Sequence, residues 1–141
     1  MLAKKIRDRV QCNDLRICVD KIADAYGVKW YAAELPKKVQ AMCAPHERIV
    51  LVSRRLGEKA RRFYLCHEIV ECLNPISIVH GSLYNEVAGH VLVPPWLLPK
   101  AIERCKNDYD VANEFDVPVS VARYQIEMIL NSHGKSVSQG I

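Results

Sequence analysis

Residues 63–71 read Phe-Tyr-Leu-Cys-His-Glu-Ile-Val-Glu, three titratable side chains set into an otherwise apolar run. Ala60, Phe63, Tyr64, Cys66, His67, Val70 and Glu71 include the inward stripe of a helix. Asn74-Pro75 closes the run, because proline disfavours helical backbone in the residue before it. The stretch predicts a long helix over residues 56–73. In a helix, side chains four apart share one face, about 5–6 Å apart at Cβ. His67 and Glu71 can therefore offer an imidazole nitrogen and a carboxylate oxygen to one ion. Glu68, one step round, can reach a water on that ion without ligating it, the role of a general base.

A second pair follows at helix-hairpin distance. Ser82 is an N-cap candidate, with Asn85 and Glu86 in the first turn of a helix running to Val93 and stopped by Pro94-Pro95. Glu86 and His90 are again four apart. The short segment 74–81 packs the two helices antiparallel, so His67, Glu71, Glu86 and His90 are the expected metal ligands. Three protein ligands and an open position make a catalytic zinc site, and four make a structural one. H-E-x-x-E alone also describes a solvated face beside a packed histidine; the apolar surroundings and the second pair favour a metal. Zinc is the expected ion. A second carboxylate ligand makes a bound water less acidic and shifts preference toward harder ions such as manganese. His80 ranks behind His90 as a ligand, and His46 and His133 read as solvent-facing. Tyr64 and Tyr84 are core or rim aromatics by default, with an oxyanion donor as the sharper role. Cys66 reads as a small core residue.

Length and composition bound the rest. The 141 residues, 50% hydrophobic and 26% charged, suit one domain with its own core. No apolar run approaches the roughly 18 residues of a membrane span, and no apolar h-region follows the basic N-terminus. The expectation is a cytoplasmic protein without membrane association. The six cysteines then read as reduced thiols, none paired at CxxC spacing. A net charge of +4 is too mild to imply direct nucleic-acid contact. Its excess lies in Lys4, Lys5, Arg7 and Arg9 and in Arg54, Arg55, Lys59, Arg61 and Arg62, both read as solvated faces.

Elsewhere the periodicity predicts a helix over residues 14–25 ended by Gly27, and strands at 28–33, 39–43 and 48–52. Ala44-Pro45-His46-Glu47 reads as a hairpin turn, giving a small antiparallel sheet of about three strands. Helices follow at 96–105, 109–115 and 120–130. The fold class is α+β, one domain over 1–141, with 1–10 and 133–141 expected as disordered ends. Residues 120–124 could open a recognition helix, but their one arginine is thin support for base reading.

Arg62-Phe63-Tyr64-Leu65-Cys66-His67-Glu68-Ile69-Val70-Glu71 resembles the R-F-x-x-A-H-E-x-x-H helix of ImmA/IrrE-type (DUF955) zinc metallopeptidases, with Glu71 in place of the second histidine. Glu86-Val87-Ala88 and Val91-Leu92-Val93-Pro94 resemble a shortened form of the family's next helix. Phe115-Asp116-Val117-Pro118-Val119-Ser120 and the segment 123–129 are similar to its C-terminal part. The resemblance implies a zincin-like domain with the metal between two helices, His67, Glu71 and Glu86 as ligands, and Glu68 as general base. It implies an endopeptidase cleaving a regulatory protein such as a helix-turn-helix repressor. The other class open to the sequence is a catalytically inactive metal-binding module that binds a protein partner or DNA.

Overall fold

The computed structural model describes residues 1–75 and 81–138, with side chains described over 1–75 and 83–132. His80 and the imidazole of His133 lie outside the described residues. The order is α1 (Leu2–Arg9), α2 (Val19–Ala25), β1 (Lys29–Ala33), β2 (Ala41–Ala44), β3 (Ile49–Ser53), α3 (Glu58–Leu73), α4 (Gly81–Leu92), α5 (Leu98–Ile102), α6 (Asp108–Phe115) and α7 (Val119–Ser138). This is the expected α+β class. Among the described residues, no helix is long and apolar enough to cross a membrane.

The sheet is mixed, where an antiparallel one was expected. Four residues join β2 to β3, so that pair is antiparallel, with Cys43 opposite Val50 and Ala41 opposite Val52. Residues 34–40 instead carry the chain over the end of β3 to the far edge. The order is β1-β3-β2, and β1 runs parallel to β3. Arg55 fixes this crossing loop by donating to the carbonyls of Leu35 (2.9 Å) and Pro36 (3.1 Å). Strand alternation buries Val50 and Val52. It leaves Tyr31, Leu51 and Met42 as an aligned row whose two outer members are exposed.

Helix α3 lies in the middle, packed on β2 and β3 by one side and on α4 by the other. Its Leu65, Cys66, Ile69 and Val70 are core residues. Gly27 sits at φ 68° and ends α2 as expected: its N–H bonds the Asp24 carbonyl and that of Val28 bonds the Ala23 carbonyl. A Cβ at Gly27 would meet no atom within 4 Å, so Gly27→Ala is strained in the backbone alone. The expected cost is about 1 kcal/mol, read as a melting-temperature fall of about 4 °C.

The N-terminal segment 1–10 is not a disordered end. It forms α1, which lays Ala3 and Ile6 on the core and packs on α4. Nor are its basic residues all solvated. Arg7 is 2% exposed and donates to the carbonyls of Val91 (2.7 Å), Asp14 (2.7 Å) and Leu15 (3.2 Å). Arg62 repeats the device at the end of α6, donating to the carbonyls of Asp116, Phe115 and Ile17, with the Asp116 carboxylate 3.4 Å away. Both arginines satisfy carbonyls that a helix end or a loop leaves without intrahelical partners. At the other terminus, α7 continues through residues 133–138, well beyond the expected limit of 130.

Candidate metal centre

On α3, Glu68, Glu71 and Cys72 stand at i, i+3 and i+4 and so share one face. Strand alternation turns Cys43 of β2 toward that face, in the row of Val50. The Cys43 thiol donates to Glu71 Oε2 at 3.0 Å. One donor oxygen each from Glu68 and Glu71 and the sulfur of Cys43 lie within 4.8 Å of one another. Glu68 is 6% exposed, and its buried Oε2 has no hydrogen-bond partner.

The electrostatics follow from crowding acceptors against one another in a buried place. Burial, and secondarily the charge of Glu71, push the Glu68 carboxyl up to about 7. Its neighbour Cys72, burial and the contact with Glu71 hold the Cys43 thiol far above its ordinary range. The Cys72 thiol is lowered, chiefly by its neighbour Cys43. An orphaned buried carboxylate oxygen beside a second carboxylate and a thiol is a set of acceptors short of positive charge. That chemistry fits a divalent ion, because carboxylate oxygen and thiolate are both accepted zinc ligands.

Of the four expected ligands, only Glu71 belongs to this group. His67 stands beside it: its Nε2 is 3.7 Å from Glu68 Oε2, and its Nδ1 is 2.7 Å from Asn85 Oδ1. Asn85 Oδ1 accepts from Nδ1, and Nε2 faces Glu68. Helix α4 therefore presents Asn85 to His67, where Glu86 was expected. Glu86 is exposed and, with His90, borders a groove against Met1, Leu2 and Ala3. His90 Nδ1 binds the carbonyl of Glu86, 2.8 Å away in its own helix. Among the described residues, the structure thus does not bring His67, Glu71, Glu86 and His90 around one point. The helix hairpin is present, but α4 is turned by one residue, and the third donor comes from the sheet. Glu68, expected as a base beside the ion, is a member of the donor group itself.

The tyrosines take the bland role: Tyr84 is buried and donates to the carbonyl of Asn74 at 2.9 Å, and Tyr64 packs edge-on against Phe63. Cys66 is a core residue as expected, its thiol pushed up to about 12 by burial. Sequence reasoning missed Cys43, Cys72 and Asn85. Two signals were available: the inward register of Cys43 in a short strand, and the i, i+3, i+4 spacing of residues 68, 71 and 72.

No protein-family model matches the chain, and comparison with curated proteins gives no match.

Proposed function

We propose that this chain is a metal-binding module whose divalent ion, zinc in the first instance, is held between α3 and β2 by Cys43, Glu68 and Glu71. The observation that carries the reading is the buried, unpartnered Glu68 Oε2 within 4.8 Å of two further donor atoms. In this reading the ion ties helix to sheet, and the module acts by binding a protein partner. Turning Glu68 into the donor group supports that choice, because a general base has to be free of the metal to move a proton.

Zinc titration of the reduced full chain tests it. One ion per chain is expected, and zinc at one hundred times its dissociation constant should add about 2.7 kcal/mol of stability. Glu71→Ala should abolish both effects. A chain that takes up no zinc and shows no thermal shift overturns the reading.

A second reading is favoured by one feature, His67 Nε2 facing Glu68 with Nδ1 anchored on Asn85. A ligating histidine commonly has its other nitrogen fixed in this way. Here the chain is a metal-dependent endopeptidase acting on a regulatory protein, such as a helix-turn-helix repressor. A divalent ion held there would supply Lewis acidity, and Glu68 would take and pass the proton. Cleavage of an unfolded casein by the zinc-loaded chain, lost in Glu68→Gln with zinc retained, would establish this reading over the first.

A further inference from the structure

Where α3, α4 and α7 meet, a pocket of about 360 Å³ opens, and none of its lining residues belongs to the Cys43, Glu68 and Glu71 group. Phe63 of α3, Glu86 and Gly89 of α4, and Tyr124 and Gln125 of α7 are among its walls. Gln125 is 2% exposed, and its Nε2 donates to the carbonyl of Val93 at 2.9 Å. Its buried Oε1 has no hydrogen-bond partner, a costly state for an amide oxygen. The glycine of α4 answers to that oxygen. A Cβ at position 89 would come within 3.2 Å of Gln125 Oε1, so the close approach keeps a residue that is otherwise a poor helix former.

Glu86 lies one turn before Gly89, about 4.5 Å back along the helix axis. It is exposed, and its carboxylate makes no hydrogen bond or ion pair among the described residues. Tyr124, 53% exposed, brings an aromatic ring to the same pocket, and no lysine or arginine lines it. An orphan amide oxygen, an unpaired carboxylate and an aromatic face together call for a flat, positively charged group rich in N–H donors.

We infer that this pocket takes the arginine side chain of a partner protein, its guanidinium shared between Glu86 and Gln125 Oε1 and stacked on Tyr124. The inference rests on the reading of a partner-binding module and is independent of the ion. A guanidinium presents five N–H donors in a planar fork, enough for both carboxylate oxygens and the amide oxygen at once. An ammonium has three donors on a compact centre and no flat face to lay on a ring.

Proton–nitrogen correlation NMR of the full chain, titrated with the acetylated and amidated peptide Ala-Arg-Ala, reads the pocket directly. Saturable shifts of the Gly89 amide and the Gln125 side-chain amide are expected. The lysine peptide should bind at least about tenfold more weakly, and the uncharged citrulline peptide should give no shift. Glu86→Gln, at an exposed position that the fold does not depend on, should weaken the arginine peptide at least about tenfold. Absence of these shifts in a chain that takes up zinc overturns this inference alone, whereas shifts in a chain that takes up none support it without the metal centre. Lysine peptide or spermidine bound as tightly as the arginine peptide overturns it, as does an unchanged affinity in Glu86→Gln.

Discussion

Arg7→Ala is expected to lower the free energy of unfolding by about 3–5 kcal/mol, because hydrogen bonds to a charged donor contribute about 1.5–3 kcal/mol each and do not simply add. Three backbone carbonyls, those of Val91, Asp14 and Leu15, accept from this one guanidinium. Val91 lies in the last turn of α4, where carbonyls have no intrahelical partner and carry the negative end of the helix dipole. Burial lowers the Arg7 pKa, yet a guanidinium stays charged at any working pH. The carbonyls are therefore what compensates the buried charge. Truncation leaves them desolvated and opens a cavity between α1 and α4. Arg7→Lys should cost less but not be neutral, because an ammonium cannot reproduce a planar fork reaching three acceptors. Urea unfolding followed by circular dichroism measures both. A loss below about 1 kcal/mol in Arg7→Ala would show that water replaces the guanidinium at no cost.

The metal-free chain should lose stability as pH rises, against the usual trend for carboxylates. The folded state holds the Glu68 carboxyl at about 7 against an ordinary 4.5, so over this interval the folded protein binds more protons than the unfolded one. The contribution is complete below pH 4.5 and is lost as pH climbs through about 7. It amounts to about 3 kcal/mol if the whole shift is expressed. Glu68→Gln removes the ionisable group while keeping its size. It should flatten this part of the pH profile and leave the variant more stable than the parent at pH 8. Zinc should invert the parent's slope, since the ion binds the deprotonated donors. Parallel profiles of parent and variant between pH 5 and 8, measured in a chelator, would show that Glu68 is solvated in the folded state.

The sequence makes local elements legible where a single residue enforces them. Pro75 ends α3, Gly27 ends α2, and the four residues after Ala44 dictate a hairpin. Misread features depend on partners distant in the chain. Nothing local to β1 tells whether it pairs with β2 or β3; the 34–40 crossing decides that, and Arg55 holds it. Arg7 looks like one more charge in a basic stretch until Val91 arrives 84 residues later as its acceptor. The candidate site divides the same way. Its α3 donors are visible as a motif, whereas Cys43 is joined to Glu71 only by the fold. The His67/Glu71 spacing drew attention to one face of α3, and the donors gather on the neighbouring one.

The central strand of the sheet is also the last of the three to be made. While the nascent chain leaves the ribosome, β1 emerges with no neighbour, because its hydrogen-bonding edge belongs to β3, whose final residue follows about twenty positions later. At usual elongation rates that is a wait of about 1–4 s, with Trp30 and Tyr31 uncovered. When the hairpin closes, β3 slots between two strands already present, and the sheet forms in one step.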